Sequence, residues 1–212
     1  YQPNMDEEGL VTAHFDFPDC ASQPDSSQSA DWETGDSCKQ EEFARAVSLG
    51  LFDYLRKSHS HGFVVSLSGG ADSAAVATLC KLMVDFAWQQ LGAKGLQEKL
   101  SYLDSDPAPS SPGEWTGRLL ACVYQSTRNS SETTRSAASG LAEALGAEYY
   151  EFDVDALVQG YMETVEGAIG RKLSWQDDDI ALQNIQARTR APGIWLLANL
   201  RQALLLATSN RS

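Results

Sequence analysis

Apolar positions along the chain fall into two rhythms. From Gln40 onward, Phe43, Val47, Leu51 and Leu55 recur at helical spacing, with Ala44, Ala46 and Phe52 beside them. Gly62 ends that helix, and the unbroken apolar run Phe63–Leu67 predicts a short buried strand. A polar loop, residues 68–73, leads into an apolar helix over residues 72–91. Residues 92–117 cluster Gly, Pro, Ser and Asp, which predicts an insertion or mobile loop. Residues 119–124 read as a second strand. Asn129, with Glu132 three residues on, predicts a capped helix start, and that helix ends near Gly146. A third strand is expected over 149–154 and a helix over 156–169. A polar helix start at 174–179 leads into helix 180–190, which Pro192-Gly193 interrupts before it resumes at 194–200. Residues 203–208 read as a fourth strand.

Strands alternating with helices imply parallel pairing and an α/β, doubly wound, Rossmann-like sheet. Ligands of such sheets sit beyond the carboxyl ends of the strands. Ser68, Gln125 and Thr208 fall at strand ends and are expected to converge on one crevice.

Residues 1–40 break this pattern. Pro18 to Asp36 is rich in Ser, Asp, Gln and Pro and builds no core, so the segment reads as an acidic linker. Phe15 and Phe17 alternate with polar neighbours, as in one strand of something upstream. The domain proper is expected over 41–212, with the insertion at 92–117. Of the 29 acidic residues, eleven fall in residues 1–42, where only one base occurs. The net charge of −13 disfavours a nucleic-acid partner. No run approaches 18 consecutive apolar residues, so no membrane span is expected. Cys20, Cys38, Cys80 and Cys122 form no CxxC pair, and His14, His59 and His61 supply no zinc spacing. Free thiols fit a reducing cytoplasm.

The chemistry concentrates in Ser66-Leu67-Ser68-Gly69-Gly70-Ala71-Asp72-Ser73. Adjacent glycines let the backbone turn tightly and approach a ligand. The helix start behind them offers unpaired N–H groups and partial positive charge, which suits phosphate. Asp72 is the oddity. A carboxylate about 4 Å from a phosphate oxygen costs roughly 4 kcal/mol at an effective dielectric of 20. A bridging divalent cation reverses that sign, and magnesium commonly joins a carboxylate to phosphates. No Lys follows the glycines, so this is not the GxxxxGK[ST] loop, and it is not GxGxxG.

This loop resembles the SGGxDS motif of the ATP pyrophosphatase superfamily, whose members cleave ATP between the α- and β-phosphates. Two further stretches narrow the likeness: WQDDDIALQNIQARTR at 175–190 and LLLATSNRS at 204–212. Both resemble NAD synthetases, in particular the glutamine-dependent kind. The resemblance implies an adenine nucleotide alpha-hydrolase type of fold. It implies an ATP-binding loop formed by Ser66, Leu67, Ser68, Gly69, Gly70, Ala71, Asp72 and Ser73, with Thr208 as a further ATP contact and Asp72 as the Mg2+ ligand. Asn184 and Arg188 then match positions that bind deamido-NAD, and their i, i+4 spacing puts them on one helix face. Read without the resemblance, Asn184 is a surface amide and Arg188 pairs with Asp177 or Asp178. Trp175, Trp195 and Tyr161 read as core or interface.

The implied reaction is ATP-dependent amidation of deamido-NAD through an acyl-adenylate. It uses ammonia or glutamine, releases AMP and pyrophosphate, and needs no side-chain nucleophile. A homo-oligomer is implied, and so is a covalently linked upstream glutaminase domain, of which residues 1–17 would be the last strand. The family pattern continues past Ser212, so the chain reads as a fragment, truncated at its C-terminus and expected to be inactive alone. Two alternatives stay open: another adenylating pyrophosphatase such as GMP synthetase, and a nucleotide-binding module without turnover.

Overall fold

The structure, a computed structural model, describes residues 31–103 and 107–208. The chain divides into Tyr1–Cys38 and Lys39–Ser212. Of the first part only residues 31–38 are described, with a short 3-10 turn at Asp31–Thr34. The strand expected near Phe15 and Phe17, and residues 209–212 of the LLLATSNRS stretch, lie outside the described residues.

The second part alternates helices and strands in chain order: α1 (Cys38–Ser58), β1 (Phe63–Leu67), α2 (Ala71–Lys99), α3 (Pro112–Leu119), β2 (Leu120–Ser126), α4 (Glu132–Leu145), β3 (Glu148–Asp153), α5 (Asp155–Ile169), α6 (Asp179–Leu200) and β4 (Leu204–Leu206). All pairings are parallel, in the order β3-β2-β1-β4. The chain therefore winds outward from β1 to β3, then returns to the other side of β1. That reversal makes the gap between β1 and β4 the switch point of a doubly wound sheet.

Side chains alternate across the sheet and build a core on each face. Phe63, Val65 and Leu67 of β1 join Cys122 and Tyr124 of β2 against α2 and α4. Val64, Ala121 and Val123 pack on Ile194 and Ala198 of α6. The covering is uneven at the β4 edge. Val47, Leu51 and Tyr54 of α1 face Leu204, Leu205 and Leu206 across an apolar groove. Trp175, Tyr161 and Trp195 are each at least half exposed and belong to neither core. Among the described residues, no helix is long and apolar enough to cross a membrane.

Three expectations are corrected. Within residues 92–117, expected as an insertion or mobile loop, 92–99 and 112–117 are helical: α2 continues through a kink at Gly92, which has φ +66°, and α3 begins at Pro112. Leu96, Leu100, Leu103 and Trp115 are then buried in the core. Their apolar residues are few but correctly spaced. The polar cluster before α3 is a helix start: Ser111 Oγ accepts from Glu114 N–H at 3.2 Å, with Pro112 at the first helical position. The cap of α4 is Ser131, whose Oγ accepts from Thr134 N–H, and not Asn129. Asn129 sits in the preceding turn, closed by Ser130 N–H donating to Thr127 O. Finally, α6 runs unbroken through Pro192. Proline deletes one helical hydrogen bond, to the carbonyl of Arg188. The packing of Ile194 and Ala198 on the sheet holds the helix across that gap.

Candidate functional site

The Ser-Gly-Gly loop stands where β1 meets α2, at the carboxyl edge of the sheet. Its hydrogen bonds are largely internal. Ser68 N–H donates to Ser73 Oγ at 3.2 Å, and Ser73 Oγ donates to Gly70 O at 3.1 Å. Gly70 N–H donates to Ser68 Oγ at 3.3 Å. Ser73 is buried and serves as the staple of the loop, rather than as the free donor its hydroxyl suggests in the sequence. What the loop offers outward is backbone: the first N–H groups of α2, which lack partners within the helix. Asp72 lies on that first turn and is exposed.

Gly69 explains why the loop takes this shape. Its φ is +79°, and a Cβ there would stand 2.7 Å from Thr134 O and 2.9 Å from Thr134 Cα. The loop thus rests on the first turn of α4. That turn is fixed in its own right, because Tyr124 Oη and Thr134 Oγ1 are 2.8 Å apart and Thr134 Oγ1 donates to Ser131 O. Beside the loop, α4 presents Ala137, Ala138 and Leu141 and leaves a cleft of about 280 Å³. Small side chains on α4 therefore keep space open next to the helix N-terminus.

Asn184 and Arg188 lie on the half of α6 that overhangs the sheet. A Cβ on Gly193 would stand 3.6 Å from the Phe152 ring, and Phe152 pairs with Gln125 near the carboxyl end of β2. Helical rise then places Arg188 about 7 Å and Asn184 about 13 Å beyond that level along the helix axis. Arg188 Nη1 donates to Asn184 Oδ1 at 2.9 Å, and both side chains are exposed. Neither hydrogen-bonds the Ser-Gly-Gly loop. Arg188 does not pair with Asp177 or Asp178, because those carboxylates are engaged elsewhere. Asp178 accepts two bonds from Arg171 at 2.6 and 2.8 Å and one from Ser174 N–H. This holds the Asp178 carboxyl down to about 2. Asp177 accepts from Ser174 Oγ. The α5–α6 turn is tied further by Glu166, which accepts from Lys172 Nζ and Leu173 N–H. These bonds fix where the overhanging half of α6 begins.

At the strand ends, Gln125 Nε2 donates to Ser66 Oγ at 3.2 Å and ties β2 to β1. Thr208 is exposed, two residues past β4, which ends at Leu206 and not at 208. Extending the β1–β4 register from Val65↔Leu206 would bring Thr208 level with Leu67, across the switch point from the loop. Sequence reasoning missed Arg128. It follows β2 and grips Asp155 at the start of α5, with Nη2 to Oδ2 at 2.7 Å and Nε to both oxygens at 3.0 Å. The guanidinium holds the Asp155 carboxyl below its ordinary range. A base four residues past the expected strand 119–124 was the available signal.

The family model described as NAD synthase matches residues 43–212. The glutamine-dependent NAD(+) synthetase of Oryza sativa subsp. indica is 35% identical over 172 residues, which is 76% of this chain and 23% of the rice protein. That of Saccharomyces cerevisiae is 33% identical over 173 residues, 76% of this chain and 24% of the yeast protein. Among solved structures, a glutamine-dependent NAD(+) synthetase from Cytophaga hutchinsonii superposes with a TM-score of 0.76 and 48% identity, covering 82% of this chain and 31% of that one. The chain thus spans about a quarter of the length of the curated relatives it matches. With the match running from α1 through β4 and taking in the loop, the overhanging helix and the last strand, the chain belongs to the NAD synthase family.

Proposed function

We propose that this domain adenylates the nicotinate carboxylate of deamido-NAD with ATP and passes the acyl group to ammonia, giving NAD. The observation that carries the reading is the Ser-Gly-Gly loop. Its Ser68 and Ser73 hydroxyls are hydrogen-bonded within the loop, while the N-terminus of α2 is turned outward at the switch point. In the first step a carboxylate oxygen attacks the α-phosphorus, and the bond to the β-phosphate oxygen breaks. Pyrophosphate leaves with the electron pair, beside the N–H groups of α2 that stabilise its charge. In the second step the ammonia lone pair attacks the acyl carbon, AMP departs and a proton is lost. The carboxylate is its own nucleophile, so the protein contributes positioning and electrostatics. Ser66 through Ser73 and Thr208 are assigned to ATP, and Asn184 and Arg188 to deamido-NAD.

Asp72 suits magnesium. The ion accepts one or two carboxylates and takes its other positions from phosphates and water. Among the described residues there is no cluster of three His, Cys, Asp or Glu that would hold a metal without the nucleotide. Magnesium, when bound, neutralises phosphate charge; Asp72 fixes where it sits.

Three wider assignments accompany this. A second copy is the proposed cover for α5, where Leu157, Tyr161, Val165 and Ile169 are exposed at four-residue intervals. A linked glutaminase domain is the proposed ammonia source, in keeping with the glutamine-dependent relatives. A cytoplasmic location fits the free thiols of Cys38, Cys80 and Cys122. No nucleic-acid or membrane partner is proposed.

The test is pyrophosphate release by the full-length native protein, given ATP, magnesium and ammonium or glutamine. Release that depends on deamido-NAD is the expected result. Release that depends instead on another acid substrate, or ATP binding with no release, would replace this reading with one of its alternatives.

A further inference from the structure

Gln125 is the penultimate residue of β2 and is 6% exposed. Alternation along the strand puts its side chain on the α6 face with Ala121 and Val123. There Nε2 donates to Ser66 Oγ at 3.2 Å. The other end of the same amide, Oε1, is buried and has no hydrogen-bond partner. Buried polar atoms are nearly always matched, so an unmatched one in a native fold calls for a physical reason. Among the described residues, Ser48, Trp115 and Tyr149 also carry such an atom. Ser48 lies in α1, Trp115 in α3 and Tyr149 near the amino end of β3. Gln125 alone stands at the carboxyl edge of the sheet. Leu67 pairs with Tyr124, so Gln125 and the first residue of the loop are neighbours across one strand spacing, about 4.8 Å.

The chemistry of Oε1 restricts what can satisfy it. An amide oxygen accepts and does not donate, so ionised phosphate oxygens cannot match it. An O–H or N–H on the uncharged half of a nucleotide can. The bond to Ser66 also decides which end of the amide remains for a ligand, because it occupies Nε2.

We propose that Gln125 is a specificity-determining residue of the nucleotide site, its Oε1 accepting a hydrogen bond from the nucleoside half of ATP. The donor is a ribose hydroxyl or the exocyclic amine of adenine. This assignment rests on the proposed function above. It gives β2 a role that the Ser-Gly-Gly loop cannot fill: the loop holds phosphates of any nucleoside triphosphate, and Gln125 reads what is attached to them.

The test measures dissociation constants of ATP, 2′-deoxy-ATP, 3′-deoxy-ATP and ITP by calorimetry on the full-length native protein. Wild type is compared with Gln125→Leu and Gln125→Glu. One analogue, the one lacking the matched donor, is expected to bind wild type about tenfold more weakly than ATP, the size of one hydrogen bond to a buried acceptor. Gln125→Leu is expected to bind ATP about tenfold more weakly and to lose that discrimination. Gln125→Glu keeps an acceptor oxygen, so it retains the ratio even as its charge weakens every ligand. Equal weakening of all four ligands in Gln125→Leu would overturn the proposal and leave Gln125 a structural tie to Ser66. So would a wild type that does not discriminate. Should Gln125→Leu fail to fold, the wild-type ratio and its retention or loss in Gln125→Glu decide. A wild type that binds no ATP would overturn the functional reading itself.

Discussion

Replacing Gly69 by alanine tests how the loop is held. Two costs add. An L-residue in a left-handed conformation is disfavoured by about 1–2 kcal/mol, and φ at Gly69 is +79°. The new methyl would also meet Thr134 O at 2.7 Å and Thr134 Cα at 2.9 Å. These are backbone atoms in the first turn of a helix, anchored in turn by Tyr124 and Ser131, so they do not yield cheaply. Overpacking of that kind costs about 1–3 kcal/mol. The sum, about 2–5 kcal/mol, is a large share of the stability of an ordinary domain. For a domain of this size each kcal/mol moves the midpoint by about 2–4 °C, so Tm should fall by about 10 °C. Gly70→Ala is the matched control. There φ is −100°, and the nearest atom to an added Cβ is Ser68 Oγ at 3.3 Å. Its stability cost should stay below about 1 kcal/mol, while ATP binding should weaken because the methyl stands in the path proposed for the phosphates. Thermal unfolding by circular dichroism, with ATP titrations on each variant, separates the two effects. A Gly69→Ala protein melting within 1 °C of wild type would show that α4 does not brace the loop.

Four further outcomes are expected. Asp72→Asn should weaken ATP binding far more with magnesium than without it; equal losses in paired titrations would refute the metal role. Arg188→Ala should raise the KM for deamido-NAD roughly ten- to 150-fold, the equivalent of about 1.5–3 kcal/mol for a charge-assisted hydrogen bond, and barely change that for ATP. Steady-state kinetics varying each substrate would show the reverse if Arg188 served the phosphates. Burial pushes the thiols of Cys80 and Cys122 up to about 12, the charge on Cys122 adding to the shift at Cys80. Both should therefore resist alkylation at pH 8 in the native state and react on unfolding, and mass spectrometry showing fast native labelling would contradict this. Asp178 is depressed to about 2, chiefly by its hydrogen bonds from Arg171 and then by that from Ser174. The unfolded state therefore binds more protons between about pH 4 and pH 2, and stability falls as pH drops through that window. Asp178→Asn should flatten this limb in thermal melts from pH 7 to pH 2.5, and an unchanged acid limb would dismiss the pair.

Different parts of this domain were legible in the sequence for different reasons. β1 and its loop were readable because an unbroken apolar run, two glycines and flanking serines admit few other structures. The parallel sheet followed from the alternation of elements, and the order β3-β2-β1-β4 gives the strand ends the adjacency expected of them. The helical parts of 92–117, residues 92–99 and 112–117, were misread because the composition of the stretch was weighed as a block. Leu96, Leu100 and Leu103 are few, yet every one is buried, and the Ser-Pro-Gly-Glu start of α3 hid among residues that also make loops. Pro192 misled for a related reason. A proline removes one bond, and whether the helix survives depends on packing that no local window contains. The pairing of Arg188 with Asn184 was likewise out of reach, since its rival acids are claimed by Arg171 and Ser174 from the preceding turn.

The apolar groove beside β4 bears on how this domain behaves at high concentration. β4 is the edge of the described sheet, paired only with β1, and its three leucines are half-buried. An open strand edge flanked by Val47, Leu51 and Tyr54 is a template on which a strand of another molecule can be laid. Opposing this is the net charge of −13, which keeps molecules apart. That repulsion reaches about 30 Å at 0.01 M ionic strength but only about 3 Å at 1 M, whereas the attraction of leucine for leucine is not screened at all. Colloidal stability of the whole 212-residue chain should therefore decline as salt is added, opposite to the usual salting-in of a neutral protein. Light scattering across a salt series at fixed pH reads this directly, and low ionic strength is the condition under which the chain should be concentrated.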